Sequence, residues 1–138
     1  MDRTGQCLCG AVQFTAREVS NEASACHCDM CRRWAGGPLI AVRVGSIDWK
    51  SEGAVQVVKS SAWAERGFCK ECGSGLFYRV TAEGNHHGVT TITLGTLDDQ
   101  SGITLTTEWF IDRKPDVYAL AGDRKRVTAA EVMAMFGG

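Results

Sequence analysis

The residues best able to do chemistry are the cysteines, seven in a chain of 138, and their spacing says more than their number. They fall as Cys7-x-Cys9, Cys26-x-Cys28-x-x-Cys31 and Cys69-x-x-Cys72, and none stands alone. Scattered core cysteines would not gather in this way. A disulfide demands a particular Cα separation and Cβ direction, which a pair one residue apart meets only with strain. Metal coordination tolerates the short spacing, because a tetrahedral ion bound by thiolates at about 2.3 Å asks only that the sulfur lone pairs converge.

Cys69-Lys70-Glu71-Cys72-Gly73 has the spacing of a knuckle turn, with Gly73 supplying backbone freedom at its exit. In Cys7-Leu8-Cys9 an extended chain points both sulfurs to one face and Leu8 to the other. Cys7, Cys9, Cys69 and Cys72 are therefore expected to close a structural zinc that ties the first strand to the middle of the sheet. The opposing reading makes Cys69-x-x-Cys72 a redox dithiol and the other pair core filling. It lacks the βαβ surroundings of a thioredoxin-like motif.

Once four cysteines are assigned, Cys26, Cys28 and Cys31 remain without a fourth cysteine. Three protein ligands and one exchangeable position is the arrangement of catalytic zinc, so these three are the candidate catalytic residues and hold a second zinc. That second ion is expected to be the weaker of two per chain and only partly occupied. Three thiolates on a divalent ion leave net negative charge, and Arg32 and Arg33 stand beside the site to compensate it and bind substrate. Trp34 is placed to wall the pocket. Plainer readings stand beside these: His86, His87 or an acidic residue closes the second site, and Arg32 and Arg33 form a solvated helix face. His27, between two ligands, faces away from the metal if the chain there is extended. Trp63 and Trp109 read as core or rim aromatics.

The elements that must position these groups read as mostly β, because glycines punctuate short runs of Val, Ile, Thr and aromatics. Strands are expected at Gly10–Thr15, Leu39–Val44, Val55–Ser60, Ala64–Phe68, Leu76–Val80, Thr90–Leu94 and Thr106–Asp112. Alternation in Val55–Lys59 and Thr91–Leu94 predicts half-buried strands. Asp29–Trp34 reads as a short helix stopped by Gly36-Gly37-Pro38. Thr128-Ala129-Ala130-Glu131 is a capping box opening a C-terminal helix.

One domain, residues 1–138, is expected, since 44% hydrophobic content over this length can bury a core without disulfides. Fifteen basic residues against sixteen acidic ones argue against nucleic acid or an anionic membrane as partner. The opening residues lack a signal-peptide core and no segment reaches membrane-span length, so a cytoplasmic address is the expectation.

Taken together, Gly5–Val12, Cys26–Arg33, Phe68–Leu76 and the Lys-Pro turn in Ile111–Asp116 resemble the glutathione-dependent formaldehyde-activating enzyme and centromere protein V family. The resemblance implies a β-tent fold of antiparallel sheets pinned by the structural zinc. It also implies carbon–sulfur lyase chemistry: a small thiol such as glutathione adds to formaldehyde or a related small carbonyl compound, or the S-hydroxymethyl adduct reverts. A fold does not fix a substrate. A non-catalytic, zinc-stabilised thiol-binding or interaction module stands as the alternative.

Overall fold

The structure, a computed structural model, describes residues 1–136. In chain order the strands are β1 (Arg3–Gln6), β2 (Gln13–Arg17), β3 (Glu22–Cys26), β4 (Leu39–Val44), β5 (Ser46–Ser51), β6 (Val55–Lys59), β7 (Ala64–Cys69), β8 (Gly75–Val80), β9 (Thr90–Thr93), β10 (Thr104–Trp109) and β11 (Lys125–Val127). Two helices join them, α1 (Asp29–Ala35) and α2 (Ala129–Phe136). The mainly-β class is as expected.

The strands form two sheets, a three-stranded one ordered β1-β2-β5 and an eight-stranded one ordered β11-β10-β3-β4-β9-β8-β7-β6. Between them lies the main core. Phe14 and Ala16 of β2 alternate inward, and the Trp49 ring meets Phe14 edge-on at 5.6 Å and Phe77 of the larger sheet at 5.9 Å. Leu76 and Ile92 are fully buried on the facing side. Cys7 and Cys69 belong to this same cluster, so one cysteine group sits where the two sheets meet.

Several elements differ from the sequence expectation for identifiable reasons. The first expected strand begins at Gln13 rather than Gly10, because Cys7–Val12 folds as a turn closed by Gly10 N–H on Cys7 O and Cys7 N–H on Val12 O. Strands β3 and β5 were not expected. Glu22–Cys26 carries small side chains of low strand preference, and Ser46–Ser51 is polar, yet both gain ladder partners on either the β4 or the β2 side. The sheets are not wholly antiparallel, since β10 runs parallel to both β3 and β11. The last expected strand ends at Trp109, and Ile111–Arg113 forms a 3-10 turn after Phe110, whose φ is 58°.

The run at Val55–Lys59 is not half-buried as its alternation predicts: β6 is an edge strand, with Val57 47% and Val58 46% exposed. Thr90–Thr93 does alternate as read, with Thr90 and Ile92 inward. The capping box forms at α2, where Glu131 N–H donates to Thr128 Oγ1 at 3.2 Å and Thr128 N–H to Glu131 Oε1 at 3.1 Å. No helix among the described residues is long and apolar enough to cross a membrane.

Gly5 lets β1 approach the core closely enough to deliver Cys7. A Cβ there would lie 2.5 Å from the Phe14 ring and 2.5 Å from the Thr96 carbonyl oxygen. Gly5→Ala should therefore cost about 1–3 kcal/mol in urea unfolding. Gly53→Ala, with no atom within 4 Å of the new methyl, should stay within about 0.5 kcal/mol.

Candidate functional site

Two groups of cysteines converge, and they are the two that spacing singles out: Cys7, Cys9, Cys69 and Cys72 in one, Cys26, Cys28 and Cys31 in the other. Within each group all sulfurs lie within 4.8 Å of one another, and all seven cysteines are free of disulfides. Both groups can hold a metal ion.

In the first group the Cys7 and Cys9 sulfurs are 3.7 Å apart, and the Cys9 and Cys69 sulfurs 3.9 Å. Thiolates at about 2.3 Å from a tetrahedral ion stand about 3.8 Å from each other, so these sulfurs already have coordination spacing. The Cys7–Cys9 segment reaches this geometry through a tight turn rather than the expected extended chain, but Leu8 still points outward, 85% exposed. The second pair is shaped by the turn after β7. Gly73 N–H donates to Cys69 O at 2.7 Å, and Gly73 itself has a φ of 80°, a conformation that disfavours any side chain.

Ser74 joins the two turns, which the spacing of cysteines does not reveal. Its hydroxyl oxygen accepts the Leu8 N–H at 2.9 Å and stands 3.1 Å from the Cys72 sulfur. Hydrogen bonds from the Ser74 hydroxyl and backbone N–H hold the Cys72 thiol down to about 5, which favours the thiolate that coordination requires.

The second group is assembled by the β3-to-α1 connection. Cys26 ends β3, Cys28 caps α1 with its own sulfur, accepting the Cys31 N–H at 3.3 Å, and Cys31 sits buried in the first turn. Hydrogen bonds from Cys26 and Cys31 hold the Cys28 thiol far below the ordinary range, while sharing with Cys28 and Cys31, together with burial, pushes Cys26 up. One thiolate is thus favoured before any metal arrives, and binding an ion must expel the remaining protons.

Among the described residues no histidine or carboxylate joins the triplet. His86 instead stacks edge-on against Phe136 at 4.7 Å, and His87 is exposed. Trp34 packs on the triplet with Leu39 and Ala41. Arg32 is engaged locally: its Nε donates to the His27 carbonyl at 3.0 Å and its Nη2 to Asp29 at 2.5 Å. Arg33 is exposed on the same helix. The cation that touches a triplet sulfur is Arg66 of β7, whose Nη2 lies 3.6 Å from Cys31 Sγ.

His27 turns its ring away from the sulfurs into a buried polar network. Its Nε2 lies 2.8 Å from Glu108 Oε1, and its Nδ1 2.9 Å from the Tyr118 hydroxyl. Glu108 also accepts from Arg124 at 2.7 Å and Arg126 at 3.1 Å. A carboxylate so engaged only accepts, so the partners assign the imidazole proton to Nε2 and leave Nδ1 to take the Tyr118 O–H. His27 and Glu108 are 0% and 1% exposed. The Lys-Pro turn holds the far end, for the Lys114 amine donates to the carbonyls of Pro115 and Tyr118. The loop carrying Cys26 and Cys28 is thereby anchored from behind.

With this geometry in view, three likenesses to known proteins take on meaning. The sequence model of the family described as glutathione-dependent formaldehyde-activating enzyme matches residues 2–113, a span containing all seven cysteines. An uncharacterized lyase of Schizosaccharomyces pombe is 34% identical over 130 residues, covering 94% of this chain and 93% of that protein. A crystal structure of a Rhodobacter sphaeroides protein matches with a TM-score of 0.56 at 23% identity, over 71% of this chain and 88% of that one, a likeness of fold.

Removing Glu108 strands a buried guanidinium and the His27 N–H, so Glu108→Ala should lower stability by about 3–5 kcal/mol in denaturant unfolding. Burial raises the Glu108 pKa, but hydrogen bonds from Arg124 and His27, with the Arg124 charge, outweigh it, and the net shift is downward. A depressed folded value means that this stabilisation is complete above the unfolded carboxylate pKa of about 4.3 and is lost as pH falls through the folded value. The stability gap between wild type and Glu108→Gln should accordingly be constant above about pH 5 and shrink below about pH 4.

Proposed function

The chain belongs to the glutathione-dependent formaldehyde-activating enzyme family, and from that premise we propose that it is a zinc-dependent carbon–sulfur lyase. It joins a small thiol such as glutathione to formaldehyde or a related small carbonyl compound, or releases them again. The observation that carries this reading is the contrast between the two groups: four sulfurs converge in one, while the other has three and no further His, Cys, Asp or Glu ligand among the described residues. A saturated set is suited to structure. An unsaturated set beside a tryptophan is suited to binding something that comes and goes.

On this reading Cys7, Cys9, Cys69 and Cys72 hold a structural zinc, and Cys26, Cys28 and Cys31 hold an exchangeable one. When bound at the triplet, zinc supplies a Lewis-acidic position that favours deprotonation of a thiol or polarisation of a carbonyl oxygen. The overall reaction forms one C–S bond, and the thiol proton ends on the former carbonyl oxygen; reversal breaks that bond and returns the proton to sulfur. The chain's residues bring the partners together, which is where most of the acceleration for such an addition arises. Trp34 walls one side of the triplet. Arg33, exposed on α1, is available to the carboxylates of a substrate such as glutathione, while Arg32 braces the loop through the His27 carbonyl. His27 and Glu108 keep the Cys26 and Cys28 backbone in place.

Cys28→Ala tests the proposal. The variant should keep its far-ultraviolet circular dichroism and its structural metal, lose the triplet's metal equivalent, and show adduct formation no faster than the spontaneous reaction. Turnover equal to wild type would contradict the assignment.

A further inference from the structure

Arg66 is an anomaly that the proposed chemistry does not yet use. Its side chain is 3% exposed, and no acidic group among the described residues pairs with it. Its Nη2 faces Cys31 Sγ, while Nε and Nη1 are buried without any hydrogen-bond partner. The guanidinium lies over the rings of Trp34 and Tyr78, 5.1 Å from each centroid, and Tyr78 is its cross-strand partner on β8. A buried charge with idle donors is costly unless an anion completes it.

The adjacent group with the required charge is the cysteine triplet. Three thiolates and one divalent ion sum to one negative charge, which a single guanidinium balances. That leaves donor capacity unspent, since guanidinium presents five N–H groups in a rigid fork and only Nη2 is engaged. The two rings hold the plane of the fork, so its direction is set before any ligand arrives.

We infer that Arg66 is a positioning and specificity residue that makes the triplet's open position select an anionic ligand, a thiolate or a carbonyl-derived oxyanion, over a neutral one. The inference rests on the proposed metal at the triplet. It assigns to β7 the role that sequence spacing assigns to Arg32 and Arg33 of α1. A lysine would keep the charge but lose the fork and the stacking between Trp34 and Tyr78.

The test uses the full chain loaded with cobalt(II) in place of zinc, with ligand binding read from the visible absorption of the cobalt. Two probes are titrated: 2-mercaptoethanol, which coordinates as a thiolate, and imidazole, which coordinates neutral. Arg66→Met should weaken the thiolate by about tenfold or more while changing imidazole less than about twofold. Arg66→Lys should fall between. A merely structural Arg66 would weaken both probes together, and that result, or loss of the triplet cobalt in both variants, would overturn the inference. Two cobalt ions per chain with equal thiolate affinity in wild type and Arg66→Met would overturn the inference while leaving the lyase reading intact. One cobalt ion per chain in the wild type would overturn both. An Arg66-dependent thiolate preference without turnover would support the inference and remove the lyase assignment.

Discussion

Four sulfurs meeting at the seam between two sheets form the constraint on which the rest of the molecule depends. Cys9 and Cys69 are 60 residues apart in sequence and 3.9 Å apart at sulfur, so their convergence fixes the turn after β1 against the turn after β7. Structural zinc bound by thiolates is worth about 10–16 kcal/mol in small domains. The net stability of an entire domain is about 5–15 kcal/mol. An ion bound here would therefore decide whether the sheets stay together, with the apolar packing of Phe14, Leu76 and Ile92 adding to it. The strand that ends at Cys69 also carries Arg66, which reaches the other cysteine group. Fixing β7 at one group thus places a charge at the second.

The second group is held by charge as well as by packing. Cys26, Cys28 and Cys31 concentrate sulfur in one loop and one helical turn, and the fold surrounds them with two kinds of support. Arg66 approaches a sulfur directly. The His27, Glu108, Arg124 and Arg126 network approaches the backbone from behind and never touches the sulfurs. The separation leaves the sulfurs unobstructed while the segment that carries them is held from behind. A buried hydrogen-bonded network of this kind resists alternative arrangements more strongly than apolar contacts of the same size.

The cysteine groups were legible in sequence because short spacings are local: residues two or three apart have no choice but to lie near one another. The four-plus-three grouping followed by counting, and the short helix after Cys28 and the capping box at Thr128 were likewise local signals. What could not be read is what the sheet brings together over distance. Arg66 is 35 residues from Cys31, and Glu108 is 81 from His27, with nothing in either stretch marking the encounter. Adjacency drew attention to Arg32, but a helix turns successive side chains about 100° apart, and that direction leads to Asp29 and a carbonyl. The strand at Glu22–Cys26 was invisible for a related reason, since its small residues are made β by neighbours on both sides rather than by their own preference. Val55–Lys59 erred in the opposite sense: an apolar strand at the sheet edge carries the same letters as a half-buried one.

The central claim is that one cysteine set is coordinatively complete and the other is not. Metal quantification on reduced, purified protein, followed by timed exposure to a chromogenic chelator, tests it most directly. The account predicts more than one and up to two ions per chain, the fraction above one lost rapidly and one ion retained until the protein unfolds. A single ion, or two that leave together only on unfolding, would contradict it.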